Sequence, residues 1–191
     1  MFVIQSHFMG SFKLGDNINH NLQILTLLYQ LQSQAHTRDK QVLCKPIIIF
    51  IASVCEAVLA DLHMRICLYT SEGVKNVAER VMAYIRSKKI DEFDKYIASA
   101  RKQDLFDAAD TSFYEDLDTL RKLRNRIHIQ NDKGHFDPDE YKTFTGTRQQ
   151  LAEKVLEKVM KTMLAKYSRD RERHACVADF QLPWDEHFRT T

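Results

Sequence analysis

The chain is poor in the residues that build tight turns, with five glycines and three prolines among 191 residues. Folds rich in β-strands need a turn after every short strand, and glycine and proline serve many of those turns. Their scarcity therefore disfavours a β-sandwich or a β-barrel. The length suits one domain of ordinary size. We predict an all-α fold, a helical bundle of about five to six helices.

An excess of charge of one sign is also missing, since 28 lysine and arginine residues stand against 26 aspartate and glutamate residues. The resulting formal net charge of +2 is too small to attract nucleic acid through bulk charge. An anionic partner would therefore have to be bound by a local group of basic side chains.

Paired cysteines of the C-x-x-C type are absent, although four cysteines occur. Cys44, Cys55 and Cys67 are separated by whole helical turns inside an apolar region, and Cys176 stands far from them. This spacing is typical of reduced, buried thiols and disfavours a structural zinc site. The first residues also lack the basic start and apolar run of a signal peptide. We expect a cytoplasmic protein without a metal or another cofactor.

The longest apolar run, PIIIFIASVCEAVLADLHMRICLY, is interrupted by Glu56, Asp61, His63 and Arg65. A membrane-spanning helix tolerates such charges poorly. We therefore predict no membrane span here and instead a central core helix that begins near Pro46.

The helical spacing of apolar residues divides the chain into an N-terminal arm (1–16), a helical domain (17–167) and a C-terminal tail (168–191). A capping box is predicted at Ser112 and Glu115. The segment NDKGHFDPDE, at 131–140, is predicted to be a turn, followed by a long helix from Pro138 to about Tyr167. Trp184 is expected to anchor the tail to the domain or to a partner.

The stretch LRKLRNRIHIQN, at 120–131, places basic side chains along one edge of a predicted helix. With ~100° of rotation per residue, five apolar residues share the buried face and four polar residues form a neighbouring stripe. The buried face comprises Phe113, Leu117, Leu120, Leu123 and Ile127; the stripe comprises Arg121, Arg124, Asn125 and His128. Two interpretations are open. The stripe could line a groove that holds phosphate, or it could simply be the basic C-terminal end that the helix dipole favours.

The segment Leu123-Arg124-Asn125-Arg126-Ile127-His128 resembles the signature helix of HEPN domains, which are all-helical modules of prokaryotic toxins and defence proteins. Their motif is an arginine and a polar residue, then a histidine after a spacer of four to six residues. Here three residues separate Arg124 from His128, whereas Arg121 gives a spacer of six. Either Arg124 is used at shortened spacing, or Arg121 serves with assistance from Arg124.

The resemblance implies a metal-independent endoribonuclease that binds RNA and acts as a homodimer in a toxin, defence or stress-response role. It also implies a possible partner such as an antitoxin. His128 would exchange protons, Arg124 and Arg121 would hold the phosphate, and Asn125 would orient His128 or a substrate hydroxyl. Glu56 would orient a basic residue or form a structural salt bridge. His135, in the predicted turn, is a second candidate proton carrier. The alternative is a non-catalytic helical module for interaction or dimerisation, since inactive HEPN-like domains serve as interaction modules.

Overall fold

The computed structural model describes residues 1–68, 74–109, 111–128, 139–169 and 177–189. Within these ranges the chain forms seven helices and two short strands, which confirms the predicted all-α class. In chain order the elements are β1 (Phe2–Ile4), α1 (Phe12–Gln34), α2 (Thr37–Leu68), α3 (Glu79–Arg86), α4 (Phe93–Lys102), α5 (Phe113–Asn125), α6 (Glu140–Thr143), α7 (Gly146–Tyr167) and β2 (Phe180–Leu182).

Helix α2 is the centre of the bundle, as the sequence predicted, and packs against α1, α3, α4, α5 and α7. Its start is not at Pro46, because the helix begins at Thr37 and carries the proline inside. A proline removes its own N–H and disturbs the preceding turn, but tertiary contacts hold that turn here. Gln32 of α1 donates to the Lys40 carbonyl at 3.0 Å, and Cys44 is buried at the contact.

One side of α2 has little cover. Among the described residues α2 is the one helix long and apolar enough to cross a membrane, and 50% of its most apolar stretch is buried. Core helices of soluble proteins meet the same criteria of length and composition. Most of the partly or fully exposed residues on this side follow helical spacing and are apolar or small, although the charged Lys45 and Glu56 are also partly exposed there. We call the apolar and small ones the α2 outer face: Val42, Pro46, Ile49, Ser53, Ala57, Ala60 and Met64.

The segments that contain β1 and β2 are both integrated into the fold. Strands β1 and β2 pair antiparallel, with Phe2 opposite Leu182 and Ile4 opposite Phe180. Phe8 and Phe180 are fully buried and their rings lie 5.7 Å apart. The predicted N-terminal arm (1–16) therefore packs onto the helical domain, because these apolar side chains complete the core.

The terminal segments also differ from the prediction in their boundaries. Helix α1 begins at Phe12, five residues before the predicted Asn17, because Ser11 acts as N-cap and accepts a hydrogen bond from the Leu14 N–H. In the predicted tail, Trp184 is 6% exposed and its ring lies 5.8 Å from that of Tyr29. Trp184 thus anchors this segment to α1, as predicted.

A buried ion pair ties the N-terminal segment to α2. The Asp61 carboxylate and the Arg65 guanidinium are 3.0 Å apart and both side chains are fully buried. Asp61 accepts hydrogen bonds from the backbone N–H groups of Gly10 and Ser11, and Arg65 donates to the Tyr167 carbonyl. Burial raises the pKa of Asp61, against the attraction of Arg65 and the hydrogen bonds.

Three further sequence predictions have mixed outcomes. Ser112 precedes α5 but makes no capping hydrogen bond, because its hydroxyl donates to Asp116 instead. The helix predicted from Pro138 is divided into α6 and α7, with Thr145 as the N-cap of α7. Cys44 and Cys55 are buried, but Cys67 is exposed. The predicted turn up to Pro138, His135 and Cys176 lie outside the described residues.

Candidate functional site

The predicted motif helix is α5, and its buried face is largely as expected. Phe113, Leu117, Leu120 and Leu123 are at most 7% exposed, and they pack towards α2, α4 and α7. Ile127, the fifth predicted member of this face, is 51% exposed. The prediction is wrong at Ile127 because α5 ends at Asn125.

The end of α5 changes the position of His128. The backbone N–H groups of Arg126, Ile127 and His128 bond to the carbonyls three residues earlier, at 3.2, 3.1 and 3.4 Å. Such bonds form turns tighter than an α-helix. The helical wheel predicted that His128 continues the stripe of Arg121, Arg124 and Asn125. Instead, His128 is exposed just beyond the end of the helix.

The other three predicted site residues do lie together. Arg121, Arg124 and Asn125 line a pocket of about 270 Å³ with Glu56 of α2 and the residues around the start of α4, which are Asp91, Glu92, Phe93 and Asp94. His128 does not line this pocket. The structure thus brings together three of the four predicted residues and adds an acidic wall.

Arg124 is fixed by two neighbours. Its Nη2 lies 3.0 Å from Oε2 of Glu56, and its Nη1 donates to Oδ1 of Asn125 at 3.4 Å. Its side chain is 36% exposed and that of Glu56 is 23% exposed, so the pair stands at the protein surface. Glu56 therefore orients Arg124, in the salt-bridged arrangement considered from the sequence.

Arg121 is held by a carboxylate of its own helix. Its Nε donates to Oδ1 of Asp118 at 2.8 Å, and Lys122 approaches the other oxygen of Asp118 at 2.9 Å. Partial burial works to raise the pKa of Asp118, but the hydrogen bonds from Lys122 and Arg121 prevail, and the pKa is lowered. Asp118 is therefore the anion that balances this part of the stripe.

The acidic wall was missed because it comes from a distant segment. Asp91, Glu92 and Asp94 surround the start of α4, where the helix dipole stabilises carboxylates. Lys95 pairs with Asp91 at 2.7 Å and with Glu92 at 2.9 Å, and Lys89 pairs with Asp91 at 3.2 Å. The signal in the sequence is the acidic run IDEFD at the start of α4, but its proximity to Arg124 depends on the packing of α4 against α5.

The chemistry available here is that of fixed guanidinium donors, carboxylates and an exposed imidazole. Among the residues that the structure describes, no group of three or more His, Cys, Asp or Glu side chains is arranged to hold a metal ion. Known proteins supply no identity for the site: the chain matches no family model, no curated protein and no solved structure.

Proposed function

We propose that the protein is an RNA-binding, metal-independent endoribonuclease with an HEPN-like fold that acts as a homodimer, with its site at the C-terminal end of α5. It would work in the cytoplasm in a toxin, defence or stress-response role, restrained by a partner such as an antitoxin. The observation that carries the proposal is the position of Arg124. Glu56 holds its guanidinium at an open pocket, four residues before the exposed His128.

Binding of phosphate is assigned to Arg124, with Arg121 beside it. A guanidinium offers five N–H donors, and Glu56 and Asn125 engage only part of those of Arg124. The remaining donors are pre-oriented for the non-bridging oxygens of a phosphate. Because carboxylates line the interior of the pocket, we place the RNA phosphate at its open rim, on the side of His128.

The proposed chemistry uses the 2′-hydroxyl of RNA as the nucleophile. A base removes its proton, the oxygen attacks the adjacent phosphorus, and the bond to the 5′-oxygen breaks with a cyclic phosphate left behind. The leaving 5′-oxygen takes a proton from an acid. Histidine can serve as base or acid near neutral pH, and the arginine donors stabilise the additional negative charge on phosphorus.

One histidine cannot be base and acid at the same instant, which gives the homodimer a chemical reason. The α2 outer face supports a place for the second copy, since it is apolar and has the small residues Ser53, Ala57 and Ala60 along its middle. Small residues allow two helices to approach closely. Glu56 precedes Ala57 in the same turn, so a copy that packs here would bring its own Arg124 and His128 near the first site.

The second candidate function is a non-catalytic module that dimerises or binds another protein. The charge balance of the pocket favours it, because Arg124 and Arg121 each already have a carboxylate partner. In this case the same ion pairs order α5 beside the α2 outer face, and the face serves association alone.

The experiment is cleavage of single-stranded and structured RNA in the presence of EDTA. We expect cleavage by the wild type, loss of at least about 10²-fold on His128→Ala, and wild-type rates for His20→Ala, which changes an exposed histidine of α1. Equal rates for His128→Ala and the wild type would refute the proposed mechanism.

The dimer is tested by light scattering with Ala60→Glu, which places a charge in the α2 outer face. The expected result is a monomer that no longer cleaves RNA, while Lys13→Glu, on the exposed surface of α1, remains dimeric. A wild-type dimer without any nuclease activity would instead support the non-catalytic module. A wild-type monomer would contradict both functions in their dimeric form.

A further inference from the structure

A second, larger concavity lies on another side of the bundle from the Arg124 pocket. It is a groove of about 960 Å³ between α7 and the start of α5, and the segments around Asn76, Phe106 and Phe188 close its sides. Its volume is in the range of pockets that enclose small organic ligands. None of the residues proposed for RNA cleavage lines it.

The lining of this groove is partly apolar and comes from separate elements. Phe106 and Phe113 are buried and in ring contact at 5.5 Å, and Val155 of α7 is also buried. Ala165 and Phe188 are exposed at its rim, with Phe188 at 47%. A ligand on this apolar floor would cover the exposed surface of Ala165 and Phe188 that water now contacts, which favours a ligand with an apolar body.

The groove is also lined by cations that have no partner among the described residues. Lys154, Lys158 and Arg189 line it, and none of the three has an ion pair or hydrogen bond of its side chain within the described ranges. Lys154 and Lys158 are one helical turn apart on α7 and therefore project on the same side. Like charges this close repel each other, and an anion between them would relieve that repulsion.

The remaining charged residues of the groove are already engaged. Lys166 pairs with Asp107 at 2.6 Å, and Asp116 accepts a hydrogen bond from Ser112 at 3.0 Å. Lys161 pairs with Glu157 at 2.9 Å and with Glu186. The Ser112 hydroxyl leaves the negative charge of Asp116 in place, so this carboxylate offsets part of the charge of Lys154, Lys158 and Arg189, and the groove keeps a positive excess.

We propose that this groove binds an anionic amphiphile, a small molecule with an apolar alkyl body and one carboxylate or phosphate head. The alkyl body lies along Phe113, Val155 and Ala165, and the head lies between Lys154, Lys158 and Arg189. The apolar lining supplies affinity through burial, and the cations select the sign of the head through charge-assisted hydrogen bonds. This binding is independent of RNA cleavage.

The test is calorimetric titration of the full-length protein with dodecanoate, dodecyl phosphate, dodecanol and dodecyltrimethylammonium, each below its micelle concentration. Both anions should bind, dodecanol should bind about tenfold more weakly, and the cation should not bind measurably. The ratio of the two anions distinguishes a carboxylate from a phosphate head. Equal binding of dodecanol and dodecanoate, or no binding of either anion, would overturn the proposal.

Substitutions locate the site. The double substitution Lys154→Gln/Lys158→Gln should weaken the binding of both anions about tenfold and leave the affinity for dodecanol unchanged. Lys13→Gln/Lys88→Gln removes the same charge from exposed positions outside the groove and should leave all affinities unchanged. Ala165→Trp should fill the groove and abolish binding, whereas Ala98→Trp, on the exposed side of α4, should not. If Ala165→Trp binds like the wild type, the ligand lies elsewhere and the assignment is wrong.

Discussion

Oε2 of Glu56 lies 3.0 Å from Nη2 of Arg124, so that a carboxylate of the central helix sets the direction of a motif arginine on α5. Both side chains are partly exposed, and solvent screening therefore reduces the energy of the pair. The pair consequently orients Arg124 more than it stabilises the fold.

A double-mutant cycle of Glu56→Gln and Arg124→Gln should give a coupling of about 0.5 kcal/mol in the free energy of unfolding. The more exposed pair of Arg101 and Glu115, at 3.2 Å, is the control and should give a coupling near zero. Urea denaturation of each variant supplies the measurement. A coupling above about 2 kcal/mol would show that the pair is a major structural contact, contrary to our interpretation.

The buried pair should behave differently. Asp61→Asn removes the buried carboxylate that faces the buried Arg65 guanidinium at 3.0 Å, and we expect it to cost about 3–5 kcal/mol of the free energy of unfolding. Asp185→Asn, at a 98% exposed carboxylate that pairs with the N-terminal amine, should stay within about 1 kcal/mol of the wild type.

Adding Arg65→Met to Asp61→Asn should restore part of that loss, because the buried guanidinium is then removed together with the carboxylate. Thermal and urea denaturation followed by circular dichroism give the stability of the wild type, the two single variants and the double variant. If the double variant is no more stable than Asp61→Asn, packing of the Arg65 side chain matters more than its charge.

Because of the buried His63, we expect the protein to lose stability in mild acid. Burial lowers its pKa in the folded protein, where its Nδ1 donates to the Leu59 carbonyl at 2.8 Å and its ring lies 5.0 Å from that of Tyr96. Below its unfolded pKa of ~6.5 the unfolded chain binds the proton more readily than the folded one. The contribution of His63 to stability is therefore complete above that pH and decreases as the pH falls towards the lowered pKa.

The slope can approach about 1.4 kcal/mol per pH unit in that window. Measured between pH 7 and pH 5, the free energy of unfolding of His63→Gln should depend less on pH than that of the wild type. His20→Gln, at an exposed position, should retain the wild-type slope. Identical slopes for the wild type and His63→Gln would contradict the assignment.

Two glycine substitutions should have opposite effects. A Cβ at Gly10 would lie 2.4 Å from Cδ of Arg65, which cannot move easily because Asp61 and the Tyr167 carbonyl hold the guanidinium. We expect Gly10→Ala to cost about 1–3 kcal/mol. At Gly146, the first residue of α7, no atom of the described residues beyond its chain neighbours and the backbone of its own helix lies within 4 Å of the added Cβ, and Gly146→Ala should stabilise by up to about 1 kcal/mol. The melting temperature should therefore fall for Gly10→Ala and rise for Gly146→Ala.

The helices that carry the core were predictable because burial imposes helical spacing on the sequence. In α5, Leu117, Leu120 and Leu123 follow that spacing, and all are buried. The start of α2 was not predictable, since Pro46 carries a local signal for a helix start that contacts with α1 override.

The sequence predicted the positions of the site residues correctly only within α5, which ends at Asn125. A helical wheel assumes a regular helix, and the turns at Ile127 and His128 break that assumption. The partners of Arg124 depend on how α2, α4 and α5 pack together, and the spacing of residues within one helix does not reveal that packing. The pairing of β1 with β2 was missed for the same reason, because strands of three residues are too short to show alternation.

The β1–β2 pair has a consequence for synthesis of the protein on the ribosome. Phe2 pairs with Leu182, so β1 leaves the ribosome about 180 residues before its partner strand is synthesised. At ordinary rates of translation that interval is about 10–35 s. During this time Ile4 and Phe8, both buried in the finished fold, have no permanent cover. Nascent chains that stall before residue 180 should therefore be substrates for chaperones and proteases, even when their helices have already formed.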